Sequence, residues 1–126
     1  MAIIGTVADG REALIPLKLL GPGENRARIE AVVDTGFTGH LVLPPALVGE
    51  LGLPLRGSRD SVLADGSVVS LDAHRVVVEW DGRMRVVPAL AAEGGPLVGM
   101  SLLRGSEVRI EAVDGGEVVI RPVAGA

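Results

Sequence analysis

One carboxylate in this chain stands where a reaction could use it. Ala31-Val32-Val33 are small or branched apolar residues suited to a strand, and they lead straight into Asp34-Thr35-Gly36. The strand can stay dry, but a charged carboxylate at its end cannot be buried without partners. Gly36 lets the backbone turn tightly, and Thr35 offers a hydroxyl that can bridge to another segment. A carboxylate held in this way can give or take a proton, which is general acid–base chemistry. The plain structural alternative is an Asx turn, in which Asp34 caps its own backbone at the strand end.

Two further stretches belong with it. Leu97-Val98-Gly99 repeats the pattern of apolar strand followed by glycine, and Met100-Ser101-Leu102-Leu103 continues it. Gly99 can serve any strand end, or it can let a backbone pass close beneath the Asp34 loop. Between the two lies Ser61 to Leu71, with Asp65-Gly66 between apolar arms, the signature of a hairpin. Its tip, Leu63-Ala64-Asp65-Gly66-Ser67, is either an ordinary exposed turn or a mobile cover that offers backbone groups to an extended peptide. The arms (Val62, Leu63, Val68, Val69) line subsites in the second case and pack as core in the first.

The apolar-apolar-Asp-Thr-Gly run resembles the active-site signature of the aspartic proteases. Leu97-Val98-Gly99 resembles the segment beneath the catalytic loop in the retropepsin-like (clan AA) branch. The chain is similar to a small prokaryotic single-domain group with Asp-Thr-Gly-Phe-Thr-Gly, Leu-Ala-Asp-Gly-Ser and Gly-Met-x-Leu-Leu. These stand here as Asp34 to Gly39, Leu63 to Ser67 and Gly99 to Leu103. The resemblance implies catalysis by Asp34 with Thr35 and Gly36. It also implies substrate contacts from a flap and cleft formed by Phe37, Leu63, Ala64, Asp65, Gly66, Ser67, Val98 and Gly99.

Enzymes of this class place two carboxylates across one water, where both cannot ionise, so the pair shares a proton. This chain has one such Asp; Asp65-Gly66-Ser67 has the wrong order and reads as a turn. The second carboxylate must then come from Asp34 of another copy on a two-fold axis; the resemblance implies that the Thr35 hydroxyl reaches across that axis to the other chain's loop. Phe37 occupies a position where pepsin-like members carry a hydroxyl that favours the ionised carboxylate. Phe37 cannot donate that bond, so activity is expected at less acidic pH than in pepsin-like enzymes. Ser101 replaces an Asp that many bacterial relatives carry after Gly-Met.

The elements that must position these residues are mostly strands. Ala2 to Val7, Ala13 to Leu20, Arg26 to Val33 and His40 to Leu43 read as strands, with Asp9-Gly10 a turn between the first two. Pro16 removes a ladder donor and places its strand at an edge or a bulge there. Pro44-Pro45 opens a short helix through Leu51, closed by Gly52. Arg75 to Trp80 and Arg83 to Leu90 form a hairpin around Asp81-Gly82. Met100 to Arg104 is one helical turn, and Val108 to Val113 and Glu117 to Arg121 form a last hairpin. The terminal strands are candidates to interleave with a second copy, as the resemblance suggests.

Composition narrows the rest. The 126 residues are 48% apolar with mean hydropathy +0.43, yet no run approaches the ~18 apolar residues of a membrane helix. No basic segment precedes an apolar one after Met1, so no secretory leader is expected. Cysteine is absent, which removes disulfides and thiolate metal sites and points to the cytoplasm. A net charge of −4 with Lys18 the single lysine argues against a nucleic-acid binder, including a β-rich regulator of the antitoxin type. His40 and His74 lack metal-ligand spacing and read as solvated or capping residues. Gly99-Met100-Ser101 lacks the closing glycine of a nucleophile elbow, and there is no phosphate-binding glycine loop. Trp80 and Phe37 are too few for base stacking.

The reading is therefore an all-β chain, residues 1–126 forming one domain, with a closed retropepsin-like barrel, one or two short helices and a homodimeric assembly. Its expected activity is that of an aspartic endopeptidase on a peptide or protein substrate. No metal, cofactor, nucleic acid or membrane is expected. The alternative is a non-catalytic dimer of the same fold that binds a peptide without cutting it.

Overall fold

The computed structural model describes residues 2–63 and 65–125. Strands take 56% of the chain and helices 9%, so the chain is mostly β. The strands are β1 (Ile3–Ala8), β2 (Glu12–Leu20), β3 (Arg26–Val33), β4 (Leu41–Leu43), β5 (Leu55–Val62), β6 (Val68–Trp80), β7 (Arg83–Ala91), β8 (Leu97–Val98), β9 (Ser106–Ile110) and β10 (Glu117–Pro122). Helix α1 (Pro45–Leu51) follows β4, and α2 (Met100–Leu103) follows β8.

All ten belong to one sheet, in the order β5-β6-β7-β4-β8-β3-β2-β1-β10-β9. A further pairing of β2 with β6, at Lys18↔Glu79, Leu19↔Val78 and Leu20↔Val77, closes six of them into a ring. Strand β5 extends the ring on one side, and β1, β10 and β9 extend it on the other. Two pairings are parallel, β3 with β8 and β4 with β7; the rest are antiparallel.

The alternation of side chains explains the interior. Ala13, Ile15, Leu17 and Leu19 on β2 are buried, as are Val76, Val78 and Trp80 on β6. These period-two sets face the same core as Ala31, Leu41, Leu43, Val98, Leu102 and Ile120. Pro16 fits because β1 pairs with β2 only up to Leu14 and β6 only from Lys18, so β2 has one neighbour at Pro16.

Helix α1 begins at Pro45 after an extended Pro44 and ends at Gly52, whose φ of 63° only glycine adopts without strain. The side-chain amide of Asn25 donates to the Leu51 carbonyl at 3.0 Å, capping an otherwise open helix end. Val48 and Leu51 anchor the helix in the core.

Strand β6 is longer than expected. Its outer part joins the Asp65-Gly66 hairpin, and its inner part was expected as a separate strand from Arg75. The ladders run through the polar Asp72-Ala73-His74 junction, with Asp72 and Ala73 paired to β5 and Ala73 and His74 to β7. The terminal strands also differ from the interleaving expectation. Strand β1 lies between β2 and β10, and β10 between β1 and β9, so both are paired within the chain. The open edge on that side belongs to β9.

Candidate functional site

Strand β3 ends at Val33, and β8 runs parallel beside it with Val32↔Leu97 and Val33↔Val98. On its other side β8 pairs antiparallel with β4, Leu41↔Val98 and Val42↔Leu97. The two strands that bracket the Asp34 loop are therefore separated by β8, and the loop passes over its end.

Backbone hydrogen bonds pin the loop there. The Asp34 amide donates to the Val98 carbonyl at 2.9 Å, and the Phe37 amide to the Asp34 carbonyl at 3.2 Å. From the underlying segment, Gly99 N–H donates to His40 O at 3.0 Å and Met100 N–H to Phe37 O at 2.8 Å. Ser101 N–H donates to Gly39 O at 3.0 Å, while its hydroxyl donates to Thr38 O. The side chain of Asp34 accepts the Gly36 N–H on Oδ1 at 2.9 Å, the geometry of an Asx turn. That bond uses one carboxylate oxygen.

Asp34 is half-buried, and Thr35 and Gly36 are exposed. Phe37 turns inward and packs against Val42, Ala73 and Leu90, with Leu71, Ala92 and Leu97 around them. Leu71 and Ala73 lie on β6, so this cluster ties the root of the β5–β6 hairpin to the Asp34 loop. Val98 is fully buried, and Gly99 is buried directly beneath the loop. Both were expected to line the cleft. In this fold the Val98 carbonyl accepts from the Asp34 amide and the Gly99 amide donates to the His40 carbonyl, so both hold the loop.

The hairpin tip is as sharply built. Leu63 N–H donates to Ser67 O at 2.8 Å and Gly66 N–H to Leu63 O at 2.9 Å. Asp65 Oδ1 accepts both the Ser67 amide at 2.9 Å and the Ser67 hydroxyl at 2.6 Å. These bonds, the hydroxyl first, hold the Asp65 carboxyl below the usual carboxylate range. Ala64 lies outside the described residues. The apolar arms do not pack as core: Val62 is 73% exposed, Val68 60% and Leu63 46%.

Ser101 is the residue that sequence reasoning undervalued, since its amide and hydroxyl both fasten the loop. Its place straight after Gly99-Met100 was the available signal. His40 is another: its Nδ1 is buried without a hydrogen-bond partner, and burial, then Arg85 and Arg59, lower its pKa below 6.5. Among the described residues no group of three or more His, Asp or Glu side chains is placed to hold a metal ion. Among the described residues no helix is long and apolar enough to cross a membrane.

No family model matches the chain, and no curated protein matches it. Among solved structures, a retropepsin-like aspartic protease from Rickettsia conorii matches with a TM-score of 0.57 at 18% identity. That match covers 95% of this chain and 89% of the other. The simian foamy virus (mac) protease matches over 70% of this chain and 90% of its own, with a TM-score of 0.48 and 19% identity. The likeness to the Rickettsia protein is one of fold, and the fold of this chain is retropepsin-like.

Proposed function

We propose that the chain is an aspartic endopeptidase that works as a homodimer of closed-barrel subunits, each a single domain. The observation that carries this reading is the placement of Asp34. It sits half-buried on a loop fixed from below by Val98, Gly99 and Ser101, with the exposed Thr35-Gly36 beside it. The Rickettsia protein of the same fold is a retropepsin-like aspartic protease, which agrees with that reading.

In the dimer the two Asp34 carboxylates face each other across a water and share one proton. The ionised one takes a proton from the water as its oxygen attacks the peptide carbonyl carbon. The protonated one gives its proton to the carbonyl oxygen. The newly protonated carboxyl then gives its proton to the nitrogen as the C–N bond breaks. A diol hydroxyl gives its proton to the ionised carboxylate as the carboxylic acid forms, which restores the pair with one proton. Neither metal nor cofactor enters these steps. The β5–β6 hairpin, with its exposed apolar arms, lies over an extended substrate.

The test is cleavage of an unfolded protein or peptide library between about pH 4 and 8, at several protein concentrations, for wild type and Asp34→Ala. Activity that disappears in the variant and rises faster than linearly with concentration supports the dimeric peptidase. Absence of cleavage by a folded wild-type dimer favours the non-catalytic peptide-binding module. Cleavage that survives the substitution places the chemistry elsewhere.

A further inference from the structure

Behind the Asp34 loop lies an open groove of about 950 Å³. His40 and Ser101 form part of its lining, and Arg83, Arg85, Arg104 and Arg121 converge on it from β7, the end of α2 and β10. Ile3, Trp80 and Ile120 supply its apolar wall. The chain as a whole is acidic, at −4, yet four of its guanidiniums line this one concavity against a single lining carboxylate, Asp81.

These arginines are not consumed by the fold to the same degree. Arg121 gives Nε and Nη2 to Glu107 at 3.0 and 2.9 Å. Arg85 gives Nη1 to the Leu102 carbonyl at 3.1 Å, which fixes its guanidinium at the groove. Among the described residues, Arg83 and Arg104 make neither an ion pair nor a side-chain hydrogen bond. The same lining holds His40 Nδ1 and Asp81 Oδ1, both buried and both without a partner. Unpartnered buried polar atoms are rare; of these two, His40 Nδ1 can donate to an anion as its N–H tautomer, whereas Asp81 Oδ1 only accepts and opposes one.

We propose that this groove is a binding site for a small, multiply charged phosphate-bearing anion. Guanidiniums present rigid forks of N–H donors that match phosphate oxygens two at a time. Asp81 in the lining and Glu107 paired with Arg121 leave about two of the four positive charges uncompensated, which a di- or triphosphate group offsets. The groove has room for more than the phosphates. This site is separate from Asp34 and stands whether or not Asp34 cuts peptides.

The experiment is calorimetric titration of the full chain with sodium pyrophosphate at constant ionic strength, with citrate, chloride and ATP titrated alongside. Arg83 and Arg104 are exposed, so Arg83→Ala and Arg104→Ala leave the fold intact. Each is expected to weaken pyrophosphate binding about tenfold, the usual consequence of losing a charged hydrogen bond. Arg26→Ala, on exposed β3 surface outside the groove lining, is expected to bind as wild type does. ATP binding tighter than pyrophosphate would support the site and identify a nucleotide; equal binding would support it and identify a free polyphosphate. Pyrophosphate heats no larger than those of chloride, citrate bound in preference to pyrophosphate, or unchanged affinity in both arginine variants would each overturn the proposal.

Discussion

A Cβ placed on Gly99 would lie 2.5 Å from Cδ2 of the Phe37 ring and 2.7 Å from the Phe37 carbonyl oxygen. It would also stand 2.3 Å from the carbonyl oxygen of Gly39. Two of these three atoms belong to a backbone already fixed by hydrogen bonds to the Gly99–Ser101 segment, so the neighbours cannot swing aside. Gly99→Ala is therefore expected to cost roughly 3 kcal/mol, the upper part of the usual range for overpacking. Urea denaturation of wild type and variant checks it, and a variant of unchanged midpoint would show that the loop and β8 are less tightly stacked.

Asp34 accepts the Gly36 amide and, in the proposed reaction, acts as a carboxylate, and a conservative substitution divides the two. Asn at this position keeps an oxygen to accept the Gly36 amide but can no longer act as a carboxylate. Asp34→Asn is expected to keep its folding stability within about 0.5 kcal/mol. Its peptide cleavage is expected to fall by about 10³-fold or more, in the range of lost acid–base catalysis. A stable variant that still cleaves at the wild-type rate would reduce Asp34 to its Asx turn.

The parts of this arrangement that were legible from sequence are those where one residue's local demand coincides with the fold. Asp34 follows a dry strand, Gly52 stops a helix that Pro45 starts, and Asp65-Gly66 turns a hairpin. Most of strand β5 ahead of its Ser61-Val62 end was not legible, because Leu55-Arg56-Gly57-Ser58-Arg59-Asp60 is exposed on both faces and shows no apolar alternation. Its ladder with β6 makes it a strand. Nor could local pattern reveal that Val98 would be buried while Val62 and Val68 stay in solvent, since all three read as apolar strand residues. The arginine groove was invisible for a different reason: its arginines are spread from position 83 to 121, and only the packing of three elements brings them together.

The hairpin tip carries its own titration signature. Ser67 holds Asp65 twice, and the hydroxyl contributes more than the amide to keeping the carboxyl below its ordinary value. Ser67→Ala removes the hydroxyl and leaves the amide. The Asp65 carboxyl should then titrate higher, moving partway back toward its ordinary value, as followed by carboxyl carbon chemical shifts against pH. An unmoved titration would mean that the hydroxyl bond is not kept in solution.

His40 is expected to make the stability of the fold depend on pH. Burial first, and then the charges of Arg85 and Arg59, disfavour its protonated form in the native state. The unfolded chain then binds a proton near 6.5 that the folded chain still refuses. Between that value and the lower native one the unfolded state holds more protons, so stability falls as pH falls and levels off below the native value. Thermal unfolding should therefore show a decline from pH 7.5 toward acid that is shallower in His40→Gln, measured in acetate and other monovalent buffers to keep phosphate out of the neighbouring groove. Carboxylates elsewhere also titrate at the acid end, so the comparison rests on the difference between the two proteins from pH 7.5 to 5.5. Parallel curves over that interval would show that His40 takes up its proton equally in both states.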